Sequence, residues 1–259
     1  MVITSTKNET IKFIRRLKER SFRRQTGLHL IEGERLVFDA LASGAVPDTV
    51  LVEDGKTDLA SRLDEMGVGF ITVNRAVIEA AADTPSPQGI IASIRTPDAD
   101  MPEELCEGLY VALDALQDPG NLGTVIRTAD AMGARGIILG RGCTDAFSPK
   151  ALRSAMGSTY HLPVYEAELS LLIPKLTAEG FTAVCGHLRG EEKFPNPGKK
   201  CIIVIGNEGS GVSDEVAEKC ILCRLPMYGR AESLNASVAA SILIFETARL
   251  MAEADKITV

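Results

Sequence analysis

The 259-residue chain reads as an α/β protein: a small N-terminal α/β unit, then a larger, mostly parallel sheet covered by helices on both faces. Three observations predict this. Short apolar runs alternate with helix-length segments, the order that makes parallel strands joined by crossover helices. Leu109-Tyr-Val-Ala-Leu113 and Cys201-Ile-Ile-Val-Ile205 are apolar at every position, as in strands buried on both sides. Finally, the stretch Arg95–Glu107 has the proline and acidic content of a linker. The expected organisation is a domain at 1–96, a linker at 97–107 and a second domain at 108–259.

Residues 8–24 are expected to form a basic amphipathic helix with Ile11, Ile14 and Leu17 on one face. His29–Gly33 gives a short strand and turn, and Glu34–Ser43 a helix ending at Gly44. Strands follow at 49–52, 70–73 and 90–94, separated by helices near 57–66 and 75–82. The second part opens with strand 109–113. Asp118-Pro-Gly-Asn121 reads as a tight turn, with Gly120 free to take positive φ, leading into helix 121–132. Strand 136–139 comes next, then a helix near 149–156 with Ser148 as cap and Pro149 in its first turn. A short strand at 162–165, helix 168–179, strands 181–185 and 201–205, helix 213–219 and strand 221–225 lead to a long final helix from about 235.

Composition excludes several classes. Hydrophobic residues make 45% and charged residues 24% of the chain, which is globular rather than disordered. No run approaches ~18 apolar residues, so no membrane-spanning helix is expected. The first residues lack the apolar run of a signal peptide, and a cytoplasmic protein is the expectation. Cys185, Cys201, Cys220 and Cys223 sit in or beside apolar runs and read as buried free thiols. Cys220-Ile-Leu-Cys223 has metal-ligand spacing, but it has no second pair and the chain has three histidines, so no metal is expected. The formal charge is −7, yet residues 1–28 hold eight basic groups and two acidic ones, a local +6 on a body carrying −13. Screening confines such an arm to about 10 Å, within which it can hold phosphates.

Three segments carry chemistry. In Asn121-Leu-Gly-Thr-Val-Ile-Arg127, the arginine lies about one and a half turns along its helix. A guanidinium there can grip a phosphate with two hydrogen bonds and stabilise a developing alkoxide. Arginine stays protonated in proteins, so orientation and charge stabilisation suit it better than the role of base. Ile205-Gly-Asn-Glu-Gly-Ser-Gly-Val-Ser213 follows an apolar strand, where glycines let backbone approach and bind a ligand. It lacks the pattern of a P-loop and the register of a dinucleotide fingerprint. Glu208 either anchors that loop or contacts substrate. Ser233-Leu-Asn-Ala-Ser237 opens the last helix, with Ser233 or Asn235 as its cap.

In this order and spacing, the three segments resemble the signature motifs of the SpoU (TrmH-like) class of SPOUT RNA methyltransferases over roughly residues 108–259. Lys7-Asn8, Lys12, Arg15, Leu17 and Glu32-Gly-Glu-Arg35 resemble, more weakly, that family's RNA-binding domain of L30e-like fold. The resemblance implies transfer of a methyl group from S-adenosylmethionine to a ribose 2′-hydroxyl of rRNA or tRNA, on a C-terminal domain with a deep trefoil knot. It makes Arg127 the catalytic residue, with Asn121, Glu208, Ser233 and Asn235 beside it. It implies a cofactor held largely by backbone at Gly186, Ile205, Gly206, Asn207, Gly209, Leu225, Met227 and Leu234.

RNA contacts are expected from Arg15, Arg16, Arg23 and Arg24 of the basic arm. Arg153, in a further segment that resembles the family near its active site, either contacts RNA or is a surface residue. His161 and His187 read as bystanders. The alternatives are methylation of a base on the same fold, or a non-catalytic RNA-binding protein; Arg127 together with Asn121 and Asn235 argues against lost activity. A homodimer through the C-terminal domain is also expected. The last helix, from Val238 to Met251, is apolar or small on nearly every face, with charge only at Glu246 and Arg249. One face can pack on its own sheet, and the other needs a second cover, with Ile244 and Phe245 as its test positions.

Overall fold

The β-branched runs form strands in two separate sheets in the computed structural model, which describes residues 2–97 and 100–257. The chain divides into two compact units, Met1–Asp98 with Phe147–Tyr160, and Ala99–Ala146 with His161–Val259. The stretch Phe147–Tyr160 therefore packs with the first unit although its sequence falls inside the second expected domain.

The first unit runs α1 (Glu9–Arg16), α2 (Arg20–Thr26), β1 (Leu28–Glu32), α3 (Glu34–Ala42), β2 (Pro47–Glu53), α4 (Thr57–Glu65), β3 (Ile71–Val73), α5 (Arg75–Ala81) and β4 (Ile90–Arg95). Its sheet has the order β1-β4-β2-β3, antiparallel at the first two pairings and parallel at β2/β3. Alternation along the strands feeds two cores. Val50, Val52, Ile90 and Ala92 pack with Val37 and Leu63, while Leu51 and Ile91 pack with Ile11, Ile14 and Val77. Burying each such Leu or Ile contributes roughly 1.5–3 kcal/mol.

The helix expected at 8–24 is broken into α1 and α2. In one continuous helix Phe22 would point about 140° away from Leu17; the bend buries both, Leu17 fully and Phe22 to 6% exposure. Arg23 secures the bend. Its Nη1 donates to the carbonyls of Leu17 at 2.9 Å and Lys18 at 2.7 Å, where α1 runs out of its own donors.

The remaining elements are β5 (Gly108–Leu113), α6 (Pro119–Ala131), β6 (Gly136–Leu139), α7 (Pro149–Ala155), β7 (Val164–Glu166), α8 (Leu169–Ala178), β8 (Thr182–Glu191), β9 (Lys200–Ile205), α9 (Asp214–Ala217), β10 (Ile221–Cys223) and α10 (Ala236–Ile257). Of these, α7 belongs to the first unit. The second sheet has the order β10-β8-β9-β5-β6-β7, and every pairing is parallel. Ala112, Ile138, Ile202 and Val204 pack with Leu172, Ile173 and Leu176 of α8 and Val216 of α9. Meanwhile α10 packs against α6 and against β5, β8 and β9. No helix among the described residues is long and apolar enough to cross a membrane.

Two local readings change. Asp118-Pro-Gly-Asn121 is a helix start, not a turn with positive φ at Gly120. Pro119 occupies the first helical position and the Asp118 side chain accepts from the Asn121 amide at 2.9 Å. And β8 continues six residues beyond its expected end at Cys185; after a register shift, Glu191 still pairs with Cys223 of β10.

Candidate active site

All three chemistry-bearing segments meet at the carboxyl ends of β5 and β9 in the second unit. The Glu208 carboxylate accepts three hydrogen bonds from the start of α6: from the amides of Asp118 (2.9 Å) and Gln117 (3.2 Å) and from Asn121 Nδ2 (3.0 Å). Burial alone would raise its pKa, but the bonds from Asn121 and the Asp118 and Gln117 amides outweigh that, and the carboxyl lies below the ordinary value. Glu208 is thus an anchor of the loop in this structure.

The same Asn121 accepts at Oδ1 from Asn235 Nδ2 at 3.1 Å. Asn235 in turn caps α10: its Oδ1 accepts from the Ser237 amide (2.9 Å), the Ser237 hydroxyl (2.7 Å) and the Val238 amide (3.3 Å). The cap is Asn235, leaving Ser233 exposed at the cavity described below. A directed chain of bonds so runs from the start of α10 through Asn235 and Asn121 to Glu208. Each donor in it polarises the next, and all end on a negative charge.

The loop after β9 is a tight hairpin. Asn207 and Gly211 exchange both backbone hydrogen bonds, at 2.9 and 3.0 Å. The Asn207 side chain closes it, accepting from the Gly209 and Ser210 amides and donating to the Ala115 carbonyl at 2.9 Å. Gly206 has no room for a side chain: a Cβ there would sit 2.0 Å from the Gly211 carbonyl carbon. Gly211 has φ of +73°, which the turn needs and most residues resist.

This hairpin walls a cavity of about 320 Å³. All eight residues expected at a cofactor, Gly186, Ile205, Gly206, Asn207, Gly209, Leu225, Met227 and Leu234, line it, as do Glu208 and Ser233. Asn121 and Asn235 stand behind the wall and hold it. The sequence reading missed His187 and Leu188, which also line the cavity and lie on the unforeseen extension of β8. Glu232, Ala239 and Leu243 are lining residues without a motif signature. Apolar side chains, exposed backbone, the carboxylates of Glu208 and Glu232 and the Arg224 side chain together form the lining.

Arg127 lies exposed on α6, about 9 Å along the helix from Asn121. It makes no hydrogen bond or ion pair with any described residue. His161, by contrast, pairs with Asp130 at 2.8 Å.

In the first unit, Arg15, Arg16 and Arg24 are exposed, and the Arg16 guanidinium lies 3.9 Å from the centre of the Phe22 ring. Arg23 must be removed from the expected RNA contacts. It is 6% exposed, and its guanidinium is committed to two main-chain carbonyls. Arg153 pairs with Asp83 at 2.6 Å, which ties α7 to the segment after α5. On α10, Val238, Ile242 and Phe245 are 46%, 42% and 55% exposed and form one apolar stripe. Ile244 is fully buried and belongs to the core, not to that stripe.

Residues 108–245 match the model of the SpoU rRNA Methylase family, and residues 8–92 match that of the MRM3-like substrate binding domain. The chain is 40% identical over 247 residues to the 23S rRNA (guanosine(2553)-2′-O)-methyltransferase RlmP of Bacillus subtilis, covering 94% of this chain and 97% of that protein. It is 32% identical to the mitochondrial rRNA methyltransferase 3A of Danio rerio, over 93% of this chain and 68% of the fish protein. A crystal structure of an AdoMet-bound rRNA methyltransferase from Sinorhizobium meliloti superposes with a TM-score of 0.84 and 36% identity, over 96% of this chain and 97% of that one.

Proposed function

The chain belongs to the SpoU rRNA methylase family, and from that premise we infer that it transfers a methyl group from S-adenosylmethionine to a ribose 2′-hydroxyl of RNA. The observation that carries the site assignment is the single cavity lined by Gly186, the 205–211 loop, Leu225, Met227 and Leu234. We propose that S-adenosylmethionine, which supplies the methyl group, is held there, mostly by main chain and apolar contacts. Glu232 brings a negative charge to a ligand carrying a sulfonium.

The chain's own contribution is position and charge. Asn121 and Asn235 fix the start of α6 against the loop, so that Arg127 is carried on a rigid helix. With no ion pair among the described residues, its guanidinium is available to an RNA phosphate and to the developing 2′-alkoxide. The proton leaves to a phosphate oxygen or to water, since Arg127 stays charged. Holding the attacking oxygen in line supplies most of the remaining rate, because methyl transfer needs little covalent help.

RNA binding is assigned to the first unit, through Arg15, Arg16 and Arg24. In support, residues 8–92 match a substrate-binding family. Arg153 serves to hold α7 rather than to touch phosphate. The α10 stripe of Val238, Ile242 and Phe245 supports a homodimer, and the all-parallel strand order β10-β8-β9-β5-β6-β7 is compatible with the proposed trefoil knot. By analogy with the Bacillus protein we propose an rRNA substrate and a cytoplasmic location.

The test is transfer of tritium from methyl-labelled S-adenosylmethionine to rRNA from cells lacking the gene, followed by mapping of the product. A 2′-O-methylated nucleotide is expected. A methylated base in its place would sink the ribose assignment.

A further inference from the structure

Tyr228 is the most exposed large apolar side chain among the described residues, at 95%, whereas Tyr110 is 4% exposed and Tyr160 and Tyr165 pack against cores. No hydrogen bond or ring contact holds it among the described residues. It lies in the segment 224–233, which is neither helix nor strand, and which contributes Leu225, Met227, Glu232 and Ser233 to the cavity wall. Its ring therefore begins one residue beyond a wall residue, at the lip of the cavity. Two positions on, Arg230 is exposed and has no ion pair among the described residues. Nearby arginines are neutralised: Arg224 pairs with Glu192 and Arg189 with Asp214, each at 2.8 Å.

Proteins that select one nucleotide of a folded RNA mostly do so where its base is unstacked, in a loop, bulge or end. The freed base then lacks a π-face, which aromatic side chains supply, and its phosphate lacks a cation. A solvated tyrosine and an unpaired arginine at the lip of the cofactor cavity offer both. We propose that Tyr228 stacks on the base of the nucleotide that receives the methyl group, and that Arg230 holds the adjoining phosphate. The proposal rests on the 2′-O-methyl transfer inferred above.

The test uses full-length Tyr228→Ala, Tyr228→Phe and Tyr228→Trp proteins, with rRNA from cells lacking the gene as the probe. Tyr228→Ala should raise the KM for RNA roughly tenfold to a hundredfold. Cofactor affinity by calorimetry and mass by light scattering should not change, and Tyr228→Phe should restore the KM. The chain has no tryptophan, so Tyr228→Trp installs a single fluorophore. Its emission should fall saturably as RNA is added. An unchanged KM in Tyr228→Ala, or emission indifferent to RNA, overturns the proposal while methyl transfer by the unaltered protein stands. A lower mass in Tyr228→Ala, unrescued by phenylalanine, also overturns it and assigns the ring to contact with a second copy. If the unaltered protein transfers no label, the methylation reading fails and takes this one with it.

Discussion

Asn121 and Glu208, 87 positions apart, are joined by a 3.0 Å hydrogen bond that fastens the start of α6 to the glycine-rich hairpin. Glu208→Gln keeps the size but turns one acceptor into a donor facing main-chain N–H groups. Leaving such groups unsatisfied costs ~1–3 kcal/mol, so turnover should fall on the order of tenfold to a hundredfold, with a lower Tm. The pH dependence follows the same contact. The folded pKa of Glu208 is depressed, so its contribution is complete above the ordinary value of 4.5 and is lost only as pH falls through the lower folded value. Stability from this contact should therefore be unaffected at neutral pH and fall away only below 4.5, as pH passes through the lower folded value, which acid unfolding of the wild-type and glutamine proteins checks. Wild-type turnover in the glutamine variant would remove Glu208 from the working site.

Arg127→Ala should reduce transfer by about 10²–10³ while leaving cofactor binding and Tm nearly unchanged, because the side chain supports nothing else in the fold. Arg127→Lys should also be poor, since a point charge does not reproduce a two-pronged contact. Single-turnover rates with calorimetry separate chemistry from binding; near-normal rates in the alanine variant exclude the role.

The basic arm contains two kinds of arginine. Neutralising Arg15, Arg16 and Arg24 together should flatten the slope of log affinity against log salt by about 2–3, and loss of the Arg16 contact with Phe22 should cost ~0.5–1 kcal/mol of stability. Arg23→Ala should instead destabilise the protein by ~1.5–3 kcal/mol, because it strips two carbonyls of their charged donor. Equal effects of the two changes on RNA binding would contradict this division.

For the dimer, Phe245→Glu should halve the mass seen by light scattering and lower activity, with the monomer still folded. Ile244→Glu puts a charge in the core, costs several kcal/mol and should unfold the protein instead. A mass near 27.7 kDa for the unaltered protein would refute the dimer outright.

Cys106 is exposed and should be alkylated by iodoacetamide at neutral pH. Burial pushes the thiols of Cys185 and Cys201 up to about 12, so little thiolate exists there and both should label only after denaturation. Mass spectrometry of the labelled peptides decides the matter.

The strands were legible because buried parallel strands are unbroken apolar runs, as at Val111 and Ile203. The motif residues were legible because asparagine, glycine and glutamate at those positions have few structural substitutes. What escaped was tertiary in origin. The α1/α2 break depends on where Leu17 and Phe22 must point, which no helical periodicity contains. The extension of β8 past Gly186 is dictated by its neighbour β10, and with it went His187 and Leu188. Glu208 could not be assigned from sequence, since its three donors lie about ninety residues away.

The place of Phe147–Tyr160 has a consequence for how the protein comes into being. His29 is fully buried, with Nε2 2.7 Å from the Tyr160 hydroxyl, and Leu152 completes the core around Val37 and Ile94. A ribosome adding roughly 5–20 residues per second finishes the strands of this unit several seconds before it supplies that covering segment. During the interval the nascent chain presents an unfinished apolar face, which is the kind of surface chaperones hold. Protease protection of ribosome-bound chains should therefore rise only for those stalled well beyond Tyr160; full protection of chains stopped near Arg95 would contradict it.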